Sequence, residues 1–344
     1  MGDTEMMGDT LNPTKVQPMN KLRVCIVAFL VLVSTRTFAG CPKADLTGDC
    51  RVNLADLGVL AEHWLTQGSC PLVADLTGDC FVEFDDLDPM ALQWLTAGTP
   101  PEMAWVDIDD PGIPDLGGFT GKMSRTETTN AQYCQFLNSA LASGDIQVHG
   151  NSVVGAEGHN PGADFAEREY YFLGGAGWTH NGAVNGGAAR IRYNDGAFSV
   201  VGGFEHHPVT YVTWHGAMAF CNYYGWRLPT EWEWQAAADY DGGYDFGCGT
   251  TITNTLANIF GSTHPHGTTP VGAFGSYGYG LADMAGNVWE WTDSCYLPDC
   301  YLDIPVARGG SWSYDGSYSM VSYRYFDYIQ NGTYEDFGFR VCKD

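Results

Sequence analysis

Apolar and polar positions along the chain follow three spacings, and each predicts a different element. The first is a continuous run from Val24 to Val33, preceded by Lys21 and Arg23 and followed by the small residues Ala39 and Gly40. A basic start, a short apolar stretch and small residues near a cleavage point make a signal peptide, with Met19 as its expected start. The run falls well short of the ~20 apolar residues that a membrane-spanning helix needs. The second spacing is helical. After Asp56 the apolar positions are Leu57, Leu60, Ala61, Trp64 and Leu65, and after Asp86 they are Leu87, Met90, Ala91, Trp94 and Leu95. Both sets fall at i, i+3, i+4, i+7, i+8, which predicts two short amphipathic helices able to face one another. Further helices are expected over Asn130 to Leu141 and from Thr230, where Thr230 and Glu233 make a capping box. The third spacing is strand-like: Ile191, Tyr193, Phe198 and Val200 alternate around Asn194-Asp195-Gly196, a hairpin signal.

The two short helices belong to an internal repeat, because DLTGDC at Asp45 to Cys50 returns at Asp75 to Cys80. In the first copy, side-chain oxygens fall at loop positions 1, 3, 5, 9 and 12 as Asp45, Thr47, Asp49, Asn53 and Asp56, with the Arg51 carbonyl at 7. The second copy repeats this with Asp75, Thr77, Asp79, Glu83 and Asp86, and the Phe81 carbonyl. That is EF-hand spacing, which wraps a hard cation in oxygen, so calcium is the expected cofactor. The turn glycine of such a loop is replaced by Cys50 and Cys80. Cys41 with Cys50, and Cys70 with Cys80, are candidate disulfides that would brace the loops.

Charge and cysteine usage narrow the setting. Lys plus Arg total 16 against 41 Asp plus Glu, a formal net charge of −25, so phosphate backbones and anionic lipid are repelled and nucleic acid is not an expected partner. Of 11 Cys, Cys25 lies in the segment expected to be removed, leaving an even number for an oxidising compartment. Export follows: secreted, periplasmic or at the cell surface, with no membrane span. Phe38 stands where a lipid-anchoring signal before Cys41 carries a smaller aliphatic residue, so cleavage is expected rather than lipidation. The domain division is an extension and signal peptide over 1–40, the calcium module over 41–97, a linker over 98–104 and a larger domain over 105–344.

The repeat pair resembles the type I dockerin family, which docks extracellular enzymes onto cohesin-bearing scaffolds. Positions 10 and 11, a small hydroxyl pair in dockerins, are Leu54-Ala55 and Phe84-Asp85 here. The larger domain carries TETTNAQYCQFLNS from Thr126, HPVTYVTWHGAMAFCNYYGWRLPTEWEW from His207, TTPVGAF from Thr268, YGYGLADMAGNVWEWT from Tyr277, ARGGSW from Ala307 and GFRVC from Gly338. In order and wording these segments resemble the formylglycine-generating enzyme, or sulfatase-modifying factor, family. The resemblance implies an α+β class: a C-type-lectin-like fold with little regular secondary structure, beside a small all-α EF-hand-like module.

It also implies a chemistry that the residues here do not support. The active family oxidises a sulfatase cysteine to formylglycine with oxygen and copper(I), through two cysteines spaced C-x4-C just after GGS. Counting on from Ser311, those positions are Tyr314 and Ser319. Neither supplies a thiolate, the soft ligand that copper(I) takes, so copper is not expected. Cys295 and Cys300 share the spacing but lie upstream, where an exported pair reads as a disulfide. The family's calcium site in the GNVWEW loop maps onto Asp283, Gly286, Val288 and Glu290. A second maps onto the Asn258 side chain and the Ile259 carbonyl, its acidic partner replaced by His264-Pro265-His266. Cys221 matches one end of a family disulfide and Cys342 sits one residue past the other, so that bridge is expected; Cys134 and Cys248 are left over.

Among the histidines, His206, His207 and His215 read as structural and His264 and His266 as solvated, with no Ser-His-Asp or metal-hydrolase spacing. The expected function is therefore a non-catalytic member binding a protein or glycan surface, with Trp178, Trp312, Tyr314 and Tyr318 around the former active site as stacking aromatics. Two alternatives stand beside it: an oxidase acting on a protein cysteine, and an accessory component of extracellular polysaccharide degradation recruited through a cohesin-like scaffold or cell-surface protein.

Overall fold

In the computed structural model the described residues are 44, 46–47, 52, 54–65, 67, 72, 74–77, 80–87, 100–113, 117–156, 167–175, 179–180, 183–184, 188–262, 267–297, 304–326 and 332–343. The repeat is visible as a repeat of environments. Ala44 and Ala74, and Val52 and Val82, are buried at equivalent positions and share one apolar cluster with Leu60 and Leu76. Backbone contact joins the copies, since Leu65 N–H donates to the Val82 carbonyl at 2.7 Å and Gln67 bridges Phe81. Helix α1 spans Leu54–Glu62, starting before Asp56 and stopping earlier than its apolar stripe. Leu65 therefore falls outside the helix at φ 60° and is 71% exposed, a correction to the expected stripe. The second copy opens with a single 3-10 turn, Phe84–Asp86, and Met90, Ala91, Trp94 and Leu95 lie outside the described residues.

The larger domain begins with a hairpin of β1 (Trp105–Ile113) and β2 (Gly117–Ser124). Helix α2 (Asn130–Ser143) follows, capped by Thr129 and Gln132 and ended by Gly144 at φ 80°, two residues beyond the length expected from sequence. Strands β3 (Ile146–His149), β4 (Ser152–Gly155) and β5 (Glu169–Phe172) form one small sheet. Strands β6 (Thr179–His180) and β7 (Ala183–Val184) form another. The predicted hairpin is present as β8 (Ile191–Asn194) and β9 (Ala197–Val200), turning on Asp195 and Gly196 at φ 51° and 83°. That pair of positive φ values is what an Asp-Gly two-residue turn supplies.

Helix α3 (Trp214–Tyr224) and helix α4 (Glu231–Asp239) come next. In α4 the Thr230–Glu233 box is formed, Thr230 N–H donating to Glu233 Oε2 at 2.8 Å and Glu233 N–H to Thr230 Oγ1 at 3.2 Å. The chain closes with β10 (Trp289–Cys295), β11 (Pro305–Arg308), β12 (Tyr325–Phe326), β13 (Phe337–Gly338) and β14 (Cys342–Lys343). These give a four-stranded sheet in the order β12-β11-β10-β13, while β14 returns to pair with β2 at Met123 and Lys122. Short strands and helices in this mixture fit the α+β class and the low content of regular structure expected from sequence.

The core is aromatic and lies between α2, α3 and the β10 sheet. Phe220 stacks on Tyr133 at 5.8 Å and meets Phe136 and Phe339 edge-on at 5.6 and 5.3 Å, while Trp289 and Trp291 are fully buried. Edge-to-face pairs of this kind add about 0.5–1.5 kcal/mol beyond area burial. α3 reaches β5 because Gly216 has no side chain: a Cβ there would stand 2.1 Å from the Tyr170 carbonyl oxygen.

Gly216→Ala tests that close approach. Inside an ordinary helix the change stabilises by about 1 kcal/mol, whereas here it is expected to destabilise by about 2–4 kcal/mol. A urea midpoint at or above that of the parent protein would show that α3 and β5 are free to separate.

Candidate functional site

Two glycines aim the segment that matters most. After β11, Gly309 and Gly310 take φ 96° and 77°, and a Cβ on Gly310 would stand 2.2 Å from Ser319 Oγ. Ser319 is fully buried and its hydroxyl has no hydrogen-bond partner. Ser311 and Ser313 each donate a hydroxyl to Asp336 Oδ2 at 2.7 Å. Burial pushes the Asp336 carboxyl above its ordinary range, and these two hydroxyls pull it part of the way back. Tyr314 sits edge-on to Trp289 at 5.6 Å and to Tyr318 at 4.9 Å. Its hydroxyl titrates above the ordinary tyrosine range because of burial and its hydrogen bond with Tyr325.

The aromatic face differs from the expected one. Trp312 is only 5% exposed and cannot act as a stacking platform, because its backbone N–H is held by the Asn287 carbonyl at 3.0 Å inside the domain. Tyr314 and Tyr318 are half-buried, and Trp178 lies outside the described residues. Sequence reasoning missed Phe260, which is 64% exposed and donates its N–H to the Tyr314 carbonyl at 2.8 Å. No periodicity marks it, since it sits in a loop whose direction is set by long-range hydrogen bonds.

Beneath this face lies a group of buried charges. Arg340 donates to both oxygens of Glu290, at 2.6 and 2.7 Å, and Trp234 Nε1 donates to Glu290 Oε2 at 2.6 Å. Glu127, from the turn between β2 and α2, accepts from Asn287 Nδ2 at 3.0 Å through Oε1, while its Oε2 has no partner. Asp283 lies close enough for the two carboxyls to repel each other. Asp283 and Asn287 both occupy the left-handed region, at φ 57° and 64°, which turns the intervening loop under the sheet. Glu127, Asp283 and Glu290 thus share one guanidinium, that of Arg340. Burial is the main cause that lifts the Glu127 and Asp283 carboxyls above their ordinary range, and mutual repulsion adds to it. Gly286 belongs to the same loop, and Val288 is fully buried beside it. Among the described residues no three His, Cys, Asp or Glu side chains converge to hold a metal by themselves.

Asn258 is tied to this group, because its Nδ2 donates to Asn287 Oδ1 at 3.2 Å and to the Gly267 carbonyl at 3.0 Å. The two oxygens expected to ligate a second cation already have donors. Ser262 Oγ donates to Asn258 Oδ1 at 2.7 Å, and Ser262 N–H donates to the Ile259 carbonyl at 2.9 Å.

In the repeat module the described candidate ligands are Thr47, Asp56, Asp75, Thr77, Phe81, Glu83 and Asp86; Asp45, Asp49, Arg51, Asn53 and Asp79 lie outside the described residues. The copies share a bonding pattern. Asp56 Oδ1 accepts from the N–H groups of Leu46 and Thr47, and Asp86 Oδ1 accepts from those of Leu76 and Thr77. Cys80 takes the turn-glycine position at φ 72° and donates its N–H to Asp75 Oδ2 at 2.9 Å.

Cys80 and Cys295 each take part in a separate disulfide, while Cys41, Cys50, Cys70 and Cys300 lie outside the described residues. The expected Cys221–Cys342 bridge is not formed, and both remain buried thiols. Cys342 Sγ meets the Arg227 carbonyl at 3.6 Å, and burial first and the neighbouring Cys342 second push the Cys221 thiol up. His207 Nδ1 contacts Thr268 Oγ1 at 2.9 Å, and His215 packs edge-on to Trp214 at 5.4 Å, both structural placements. His264 and His266 lie outside the described residues.

Comparison with known proteins gives these features a context. Residues 116–344 match the family model described as the sulfatase-modifying factor enzyme 1-like domain. A formylglycine-generating enzyme of Streptomyces coelicolor is 31% identical over 227 residues, 57% of this chain and 68% of that protein. The inactive C-alpha-formylglycine-generating enzyme 2 of Mus musculus is 41% identical over 123 residues, 32% of this chain and 40% of that protein. The serine/threonine-protein kinase pkn1 of Chlamydia caviae is 41% identical over 116 residues, 33% of this chain, and the match spans only 18% of the kinase. Of solved structures, CarF aligns with a TM-score of 0.49 and 18% identity over 70% of this chain and 98% of that one.

Glu127→Gln tests the repulsion among the buried carboxyls. A carboxyl raised on folding contributes stability that is complete at low pH and lost as pH rises through its folded value. Glutamine does not titrate, and its amide N–H can donate to Asp283. In chelator, the variant is expected to be about 1–2 kcal/mol more stable than the parent at neutral pH, with the gap closing as the pH falls into the ordinary carboxylate range. A gap that is constant with pH would show that Glu127 is compensated in the parent.

Proposed function

The chain belongs to the sulfatase-modifying factor enzyme 1-like domain family, and we propose that it is a non-catalytic binding member of it. The observation that carries this reading is what fills the two positions of the family's catalytic cysteines. Tyr314 is bonded to Tyr325 within an aromatic cluster, and Ser319 is sealed under Gly310. Neither offers the thiolate that copper(I) needs, so the residues present do not fit copper. The described thiols Cys134, Cys221, Cys248 and Cys342 are all buried.

The same positions suit recognition. Exposed Phe260 beside half-buried Tyr314 and Tyr318 makes a face on which a sugar ring or an apolar side chain can stack, with tyrosine hydroxyls at its edge. A glycan or a protein surface is the proposed ligand. The accessory role in extracellular polysaccharide degradation is a second reading, and it draws on the repeat module. Phe84, at loop position 10 of the second copy, is 74% exposed and available to a cohesin-like partner or a cell-surface protein. Export through the amino-terminal apolar run goes with both readings. Among the described residues no helix is long and apolar enough to cross a membrane.

Calcium is the proposed cofactor. In the repeat module the EF-hand spacing of oxygen-bearing residues, present twice, supports it. In the larger domain, Asp283 and Glu290 with the Gly286 and Val288 carbonyls would hold the ion. Glu127, Asp283 and Glu290 against Arg340 leave a deficit of two charges, which one divalent cation fills, and the unpartnered Glu127 Oε2 points to the same shortage. There the ion would supply charge compensation and rigidity, not chemistry.

Copper(I) titration of the purified protein, with oxygen uptake recorded on a cysteine-containing sulfatase peptide, tests the main reading. The parent is expected to bind no tight copper and to consume no oxygen, whereas the double variant Tyr314→Cys, Ser319→Cys gains copper affinity. Stoichiometric copper with peptide-dependent uptake in the parent would overturn it. For the binding face, Phe260→Ala and Tyr318→Ala should each weaken capture on a glycan array by about tenfold, on the order of 1.4 kcal/mol per aromatic contact, with unchanged thermal stability for the exposed Phe260.

A further inference from the structure

The two calcium positions that the family resemblance implies in the larger domain have opposite chemistry here. Around Asp283 and Glu290 there is negative charge to spare. Around Asn258 and Ile259, among the described residues, the hydrogen-bond partners are all neutral, and the carbonyl and both side-chain polar atoms of the asparagine are used. The Asn258 carbonyl accepts from Asn287 N–H at 2.8 Å, its Nδ2 donates to Gly267 and Asn287, and its Oδ1 accepts from Ser262. The Nδ2 bonds settle which way the amide faces, leaving Oδ1 towards Ser262.

We infer that Ser262 is a built-in substitute for a cation at this position, so that the Asn258–Ile259 site is metal-free and held by one residue's hydroxyl and amide. A cation would need lone pairs on Asn258 Oδ1 and the Ile259 carbonyl. Ser262 presents a donor to each, O–H at 2.7 Å and N–H at 2.9 Å, and a donor hydrogen directed at an oxygen repels a cation approaching along the same line. The amide cannot swing away without giving up its bonds to Gly267, Asn287 and Ser262. Ser262 and Asn258 are 4% and 1% exposed, so bulk water does not compete for these bonds. The chain just beyond, His264-Pro265-His266, brings no carboxylate.

The substitution has a structural consequence. The turn from Asn258 to Ser262 carries Phe260, whose N–H holds the Tyr314 carbonyl. Ser262 therefore orders the exposed phenylalanine and the former catalytic position together, without an ion. The inference stands whether or not that face binds a ligand, and it is independent of calcium at Asp283 or in the repeat loops.

The full chain, as Ser262→Ala, Ser262→Thr and Asn258→Ala, is compared with the parent by thermal unfolding in chelator and in excess calcium, and by calcium count in native mass spectrometry. Loss of the hydroxyl donor is expected to lower the Tm of Ser262→Ala by about 2–4 °C, by the same amount with and without calcium. Threonine, which keeps the hydroxyl, should stay near the parent, and all proteins should carry the same number of calcium ions. A Ser262→Ala deficit that calcium restores, no deficit at all, or one fewer calcium in Asn258→Ala would each overturn the inference. Should Asn258→Ala fail to fold, the alanine and threonine pair at Ser262 decides alone.

Discussion

The buried ion pair between Arg340 and Glu290 is the constraint on which the rest of the larger domain depends. Arg340 is fully buried, and its guanidinium reaches the Ser124 carbonyl at the end of β2, the Ala282 carbonyl in the loop before β10 and both oxygens of Glu290 on β10. One side chain thus joins the amino-terminal hairpin, the central sheet and the loop that carries Asp283 and Asn287. Burying two charges is repaid only when geometry and further hydrogen bonds are complete. Here the fork is bidentate and Trp234 adds a donor to the carboxylate. Removing one partner would strand the other in the interior, at a cost of about 3–5 kcal/mol.

From that pair a chain of polar contacts runs outward to the surface. Asn287 links Glu127 to Thr269 and Asn258, Asn258 is closed by Ser262, and the turn between them holds Phe260 against Tyr314. Side chains in such a network have one arrangement that satisfies every donor, which is how a domain with few long helices or strands keeps an ordered surface. The unpartnered Glu127 Oε2 is the place where the network stays incomplete in charge.

The departures from the family pattern follow a common logic. A thiolate pair has become a tyrosine in an aromatic cluster and a serine under a glycine, and a cation position has become a serine with two donors. On the proposed reading, each change replaces a metal ligand of the family with a side chain that needs no loading. The scaffold tolerates this because Tyr314 extends the aromatic packing, edge-on to Trp289 at 5.6 Å, and the bonds of Arg340 go to other residues. A binding surface asks for such permanence, whereas an oxidase asks for exchangeable ligands and open coordination.

Much of this protein was legible from the order of its residues alone. The Asp45/Asp75 repeat, the Thr230–Glu233 cap, the Asp195-Gly196 turn and α2 are local, each decided by residues within a few positions of one another, and local physics acts the same way in any context. The absence of cysteine at positions 314 and 319 was likewise a matter of counting. What only the tertiary structure decided is how distant segments meet: that Trp312 turns inward while Phe260 faces solvent, that Cys221 and Cys342 are buried as thiols rather than bridged, that Leu65 leaves its helix, and that Glu127 joins Asp283 and Glu290 across the domain. These depend on burial and on hydrogen bonds between residues far apart in sequence, such as Asn287 and Glu127, 160 positions from one another. No periodicity records such pairings, because their energy exists only once the chain has closed on itself.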